Sequence, residues 1–279
     1  MTGKGRSYGA ITVINAMPLG KGATIGIDLK TEAKFTVEGN ERIIEIVNDP
    51  DEDPTMAGYC VSAAYDAMDI SEPAGWRLRI DSEIPVSRGL KSSSSACNAI
   101  ITSVFSENHY KMDKIELIRL GVGCARKAKV TVTGSFDDAC GCHLGGLVIT
   151  DNNSDELICS RDLDETYDVV IYVPAEKIRK TGLPLEKLST VRNEMEVAGS
   201  FAEFYPLKAM TMNGRIISKA SGVDNSVAEM AINNGALGAG MSGSGPAIAI
   251  VLPKGDGRGF IEKTGLDNTI LTTTRGLDL

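Results

Sequence analysis

Two segments of the chain carry residue types and spacings suited to holding phosphate. The first is Pro85-Val-Ser-Arg-Gly-Leu-Lys-Ser-Ser-Ser-Ser-Ala96, between a strand-like run and a helix-like run. Gly89 permits a backbone turn that residues with a Cβ resist. The four serines supply small hydroxyl donors at the start of the next helix. A helix N-terminus has unsatisfied N–H groups and a partial positive charge, so it is a natural seat for phosphate. Arg88 and Lys91 add full positive charges. The plainer reading is a serine-rich turn with a helix cap. The second segment is Gly235-Ala-Leu-Gly-Ala-Gly-Met-Ser-Gly-Ser-Gly-Pro246, whose Gly238, Gly240 and Gly243 fit G-x-G-x-x-G. A dinucleotide-binding fingerprint needs a strand before it and a helix after it. Here a helical pattern precedes and the strand-like Ala247–Leu252 follows, which argues against that reading. No Walker A loop is present, because Gly20-Lys21 is followed by Gly22 rather than Ser or Thr.

The surrounding elements must place these loops. Tyr8–Met17, Ala23–Val37 and Arg42–Val47 are rich in β-branched residues and predict strands, the first two broken by Pro18-Leu-Gly-Lys-Gly22. Asn48–Asp53 reads as an acidic loop in which Asp53 caps a helix from Pro54 to about Met68. Trp76, Leu78 and Ile80 alternate with charged residues, the period of a half-buried strand. Cys97, Ile100, Ile101, Val104 and Phe105 recur at helical spacing, and a further helix follows an Asp113 cap. Lys129–Val132 is strand-like, and Leu144–Thr150 with Glu156–Cys159 suggests a hairpin about Asp151-Asn-Asn153. A second unit opens near Arg161 with a strand at Tyr167–Val173. A mostly helical stretch over Leu185–Asn234 follows, then strands at Ala247–Leu252 and Asn268–Thr274. The boundary falls between residues 150 and 166, giving units 1–160 and 161–279.

Composition bounds the function. The chain has 279 residues, 42% hydrophobic and 24% charged, with a net charge of −8. A nucleic-acid groove needs an excess of Lys and Arg, so this balance argues against nucleic acid as a partner and leaves room for one small anion. Met1–Ile14 lacks the charged head and apolar stretch of a signal peptide, and the longest apolar runs are too short to span a bilayer. The expected location is the cytoplasm, with the six cysteines reduced. Cys140, Cys142 and His143 have no second ligand pair at zinc-site spacing. With only two histidines, histidine-based catalysis is not expected.

The two loops, with the Pro18–Gly22 turn, resemble the three motifs of the GHMP kinases, the superfamily of galactokinase, homoserine kinase, mevalonate kinase and phosphomevalonate kinase. Residues 85–96 follow the second motif, P-x3-G-L-x-S-S-[SA]-A, with one extra Ser, and residues 238–246 match the third. Within the superfamily, Gly5-Arg-Ser-Tyr-Gly-Ala-Ile-Thr12, Gly89-Leu-Lys-Ser-Ser-Ser94 and Gly134-Ser-Phe-Asp-Asp-Ala-Cys140 are similar to the archaeal-type shikimate kinase family. The resemblance implies an α+β fold: an N-terminal domain like the second domain of ribosomal protein S5, then a ferredoxin-like C-terminal domain. It implies transfer of the γ-phosphate of ATP to the 3-hydroxyl of shikimate with Mg²⁺. Homoserine or mevalonate as acceptor, or a non-catalytic ATP-binding sensor on the same fold, are the alternatives.

By the same resemblance, ATP would lie on Pro85, Val86, Ser87, Arg88, Gly89, Leu90, Lys91, Ser92, Ser93, Ser94, Ser95, Gly243 and Ser244, and Ser93 would touch the metal. Asp137 takes the position of the catalytic Asp of mevalonate-kinase-like members; its neighbour Asp138 assists or caps a helix. Ser221-Gly-Val-Asp-Asn-Ser226 spells a similar phrase but lies in the wrong half of the chain, so Asp224 reads as a helix N-cap. Many relatives carry a metal-binding Glu some ten residues before the Asp, where this chain has Arg126-Lys127. That leaves three options: Asp138, water, or a cation that takes over charge neutralisation. A carboxylate-bearing substrate needs a cationic partner. Arg192, Lys21 and Arg6 are the candidates, each with a surface salt bridge as its plainer reading.

Overall fold

The structure is a computed structural model, and it describes residues 1–86, 88–131, 135–174 and 185–278. Ser87 and part of the expected strand Lys129–Val132 lie outside the described residues. The first half builds a six-stranded sheet from β1 (Thr2–Ile14), β2 (Lys21–Val37), β3 (Arg42–Ile46), β4 (Trp76–Ser82), β5 (Leu147–Asp151) and β6 (Glu156–Arg161). β1 lies antiparallel along most of β2, from Ala23 to Thr36. On the other edge of β2, β5 pairs with Lys21–Ile25 and β4 with Thr31–Val37. Helices α1 (Thr55–Ala67), α2 (Ser92–Glu107), α3 (Lys114–Lys127) and α4 (Phe136–Leu144) pack on this sheet and on one another.

The second half builds a four-stranded sheet from β7 (Asp168–Tyr172), β8 (Gly238–Met241), β9 (Ile248–Leu252) and β10 (Thr269–Thr273), in the order β10-β7-β9-β8. All of its pairs are antiparallel. Helices α5 (Leu185–Ser189), α6 (Arg192–Ser200), α7 (Pro206–Ser221) and α8 (Ser226–Asn233) lie between β7 and β8, and α9 (Gly257–Thr264) between β9 and β10. Strand order four-one-three-two with two helical crossovers is the ferredoxin-like arrangement that the resemblance implied.

The two sheets share one core. Ile11, Val13, Ile25 and Ile27 of the larger sheet pack with Val169, Val170, Ile171, Ile248 and Ile250 of the smaller. A second core joins the helices to β2 and β4 through Phe35, Val61, Leu78, Ile100 and Ile101. Each such fully buried side chain contributes roughly 1.5–3 kcal/mol. After β10 the chain returns to the first half: Gly146 N donates to Arg275 O at 2.9 Å, and the Arg275 guanidinium donates to the Cys142 and His143 carbonyls that end α4. No helix of the described residues is long and apolar enough to cross a membrane.

Several elements differ from the sequence reading. β1 starts at Thr2 rather than Tyr8, because its pairing with β2 continues to Thr2↔Thr36. Lys129–Thr131 form no strand; Lys129 N and Val130 N bond back to Arg126 O and Ala125 O, closing the end of α3. Leu144 ends α4 rather than opening β5. Gly238–Met241 is itself a strand, β8, whose small residues let α7 approach: a Cβ on Gly240 would stand 2.9 Å from Met210 O. α1 begins at Thr55, one residue later than expected, so Pro54 takes the N-cap position and Asp53, just before it, accepts from Thr55 N at 2.9 Å.

Candidate functional site

Three chain segments far apart in sequence meet at the start of α2. Gly89 has φ +82, and a Cβ there would stand 2.0 Å from Ser242 O, so only glycine lets the two loops lie this close. Ser242 Oγ donates to Gly89 O at 2.9 Å and Ala247 N to Arg88 O at 3.3 Å. Lys91, at φ 69, is the N-cap of α2. Beyond it, Ser92–Ser94 present N–H groups that have no intrahelical acceptor. Ser92, Ser93, Gly243 and Ser244 are half-buried beside this opening, while the Arg88 guanidinium donates to Pro174 O.

Not every residue of the serine run faces the opening. Ser95 is fully buried; its N–H already donates to Lys91 O, and its hydroxyl has no partner among the described residues. The Leu90 side chain is likewise in the core. The side chains of these two residues pack the loop from behind.

Lys91 also differs from a simple phosphate contact. Its side chain is 3% exposed, and Nζ lies 2.7 Å from Asp138 Oδ1 and 2.8 Å from Thr12 Oγ1. It is thereby the cation that faces the acidic pair Asp137-Asp138 in the first turn of α4. Arg126 and Lys127 do not take that part. Arg126 is bidentate to Asp155, and Lys127 lies over the Tyr59 ring.

Asp137 is buried where β2, β5 and α4 converge. Asn152, just past β5, donates Nδ2–H to Asp137 Oδ1 at 2.7 Å and accepts from Asp137 N at 3.1 Å. Thr150 Oγ1 and Gly20 O hold Asn152 in turn. Thr24 Oγ1 donates to the Asp137 carbonyl at 2.9 Å. Burial pushes the Asp137 carboxyl up to about 7, with the neighbouring Asp138 charge adding to the rise; Lys91 and the Asn152 hydrogen bond oppose it. A carboxylate with proton affinity near neutral pH is matched to general-base work. Because Asn152 favours the ionised form, Asn152→Ala should move the acidic limb of the pH–kcat/KM profile to higher pH than in wild type. An unmoved limb would mean that Asp137 does not govern that profile.

On the far side of Asp137 is the Pro18–Gly22 turn. Arg192, the first residue of α6, donates to Pro18 O at 2.9 Å, and exposed Lys21 precedes Gly22 at the start of β2. Both cations therefore stand on the turn that borders Asp137. Arg6 does not: it pairs with Glu32 at 2.6 Å, roughly 30 Å further along β2. The hollow lined by Lys4, Arg6, Glu32 and Lys34 opens there, away from these groups. Asp224 is exposed and bonds Ser226 N and Oγ at 2.8 Å; Asn225 occupies the N-cap of α8, one residue later than expected. Cys140 and Cys142 are buried thiols pushed above their ordinary range by burial, and burial lowers His143 to about 4.

The sequence reading missed Asn152 and gave Thr12 no role. Their signals are weak, since a Thr in a strand and an Asn in a turn are ordinary, and only the fold brings them to Lys91 and Asp137.

Comparison with known proteins gives consistent findings. The family models "GHMP kinases N terminal domain" and "GHMP kinases C terminal" match residues 58–146 and 197–263. Shikimate kinase of Pyrococcus abyssi is 36% identical over 257 residues, 88% of this chain and 90% of that protein. Shikimate kinase of Methanosarcina mazei is 35% identical over 282 residues, 98% of this chain and 94% of that protein. Among solved structures, Methanococcus jannaschii mevalonate kinase superposes with a TM-score of 0.80 at 15% identity, covering 100% of this chain and 98% of that one. Lactococcus lactis galactokinase complexed with galactose gives 0.75 at 15% identity, covering 99% and 94%. At such identities the structural matches speak for the fold alone.

Proposed function

The chain belongs to the GHMP kinase family, and from that premise we propose that it transfers the γ-phosphate of ATP to the 3-hydroxyl of shikimate, giving 3-phosphoshikimate and ADP. The observation that carries this reading is Asp137, a buried carboxyl raised to about 7 and fixed between a phosphate-suited helix N-terminus and a cationic turn. The ATP phosphates would lie along the start of α2, against Ser92, Ser93, Gly243 and Ser244. Asp137 would take the proton of the acceptor hydroxyl as its oxygen forms the new bond to the γ-phosphorus and the bond to the ADP oxygen breaks. Lys91, held to Asp138, keeps net negative charge from accumulating there.

Mg²⁺, when bound, neutralises phosphate charge. Ser93 offers a hard, half-buried oxygen beside the opening, while Asp138 is already paired with Lys91. Mg²⁺ keeps several waters and takes substrate phosphate oxygens, so a site with this one protein oxygen fits it.

The acceptor carboxylate would face Arg192 and Lys21, and Asp138 would accept from one of its hydroxyls. Arg192→Ala should raise the KM for shikimate about tenfold or more with kcat and the KM for ATP little changed. A fall in kcat alone would place Arg192 elsewhere. A cytoplasmic location and a domain division at 160/161, at the end of β6, belong to the same reading. A coupled ADP-release assay with shikimate, homoserine and mevalonate tests it: turnover on shikimate is expected, and turnover confined to homoserine or mevalonate would contradict it.

A further inference from the structure

We infer that Thr12 is a positioning residue of this kinase, locking Lys91 and the Gly243 loop into one arrangement for ATP. Thr12 is 1% exposed near the C-terminal end of β1. Its Oγ1 accepts from Lys91 Nζ at 2.8 Å and from Gly243 N at 2.8 Å. A hydroxyl oxygen has two lone pairs, and both are used here. The Thr12 backbone N–H also donates to Ser242 Oγ at 3.3 Å, and that hydroxyl donates on to Gly89 O. One strand residue thus ties together the loop that starts α2 and the loop between β8 and β9.

The arrangement has a consequence for Lys91. With Asp138 alone as partner, the ammonium would be free to turn about that contact; with Thr12 as the second partner its direction is fixed. The Gly243 N–H is likewise held inward, so the backbone on either side of it is set. Both bonds depend on one oxygen, so removing the Thr12 hydroxyl removes both at once. Thr12 touches no reacting atom in this account and acts through Lys91 and Gly243.

This inference rests on the kinase reading, and the test separates the two. Thr12→Val keeps the shape and removes the acceptor, whereas Thr12→Ser keeps the acceptor. ATP affinity by calorimetry, kcat, both KM values and Tm would be measured for each variant and for wild type. Thr12→Val is expected to weaken ATP binding about tenfold and lower kcat about tenfold or more, with the KM for shikimate within about threefold of wild type. Thr12→Ser is expected to recover most of both. If Thr12→Val does not fold, Thr12→Cys, a weak acceptor, takes its place with the same expectation. Wild-type ATP affinity and kcat in Thr12→Val would overturn the inference. So would a Thr12→Ser as defective as Thr12→Val, which would show that the site responds to any change of side chain at Thr12 rather than to loss of the acceptor. A wild-type protein inert toward shikimate would sink the proposed reaction, while the ATP affinities would still decide the role of Thr12.

Discussion

Asp137→Asn is expected to lower kcat about 10²- to 10⁴-fold while the affinity for ATP stays within about threefold of wild type. The amide keeps the size of the carboxyl and can still bond Asn152, but it cannot take a proton from the acceptor. The same substitution is expected to stabilise the fold. In the unfolded chain an aspartate ionises near 3.8, and in the fold Asp137 does so at about 7. Between those values the folded chain holds a proton that the unfolded chain has released, so wild-type stability falls as pH rises through this window. Asn does not titrate. The Tm gain of Asp137→Asn over wild type should therefore be small near pH 4, grow toward pH 7 and level off above it. The matching gain in unfolding free energy has a ceiling on the order of 4 kcal/mol, from about 1.36 kcal/mol per pH unit. Thermal melts across that range check this. A gain independent of pH would show that Asp137 ionises normally in the fold, and near-normal kcat would remove it as the base.

Gly22→Ala is expected to cost about 10²-fold or more in kcat with little loss of ATP affinity. A Cβ on Gly22 would stand 2.3 Å from Asp137 Oδ2 and 2.5 Å from its Cγ. Neither partner can yield easily. Gly22 is paired with Thr150 in the sheet, and Asp137 is pinned at Oδ1 and at its backbone by Asn152. The carboxyl must rotate or the start of β2 must shift, and a displacement near 1 Å at a reacting group is enough for a loss of this size. The ATP-suited opening at α2 is contacted from other strands, so calorimetric ATP binding should survive. Steady-state kinetics with saturating ATP would detect the effect; unchanged kcat would mean that the placement of the Asp137 carboxyl does not set the rate.

Much of this site was legible in the sequence because its loops are local devices. Gly89 followed by a serine run, and a glycine-rich turn leading into β9, carry their meaning in a dozen residues each. The cap at Asp113 and the hairpin after β5 are equally local: Asp113 Oδ1 accepts from Ile115 N at 2.8 Å. Asp137 itself came through a phrase similar to a known family, and no periodicity would have picked it out. What the sequence hides is pairing at long range. Lys91 reads as a phosphate contact until the fold sets Asp138 and Thr12 against it. Arg126 sits where relatives carry a metal ligand, yet Asp155, on the turn between β5 and β6, claims it. Ser95 belongs to the serine run by letter but turns into the core, since consecutive residues of a helix point about 100° apart. The early start of β1 has the same origin, because the partner that extends it lies some thirty residues away on β2.

Phosphorus NMR of the reaction of the protein with ATP and shikimate reads out both the phosphoryl transfer and the role of Asp137. A new phosphomonoester resonance, with the phosphate on the 3-oxygen, is expected to rise with ADP in wild type and to be nearly absent with Asp137→Asn. No phosphomonoester in wild type, a phosphate on another oxygen, or an equal rate in Asp137→Asn would contradict it.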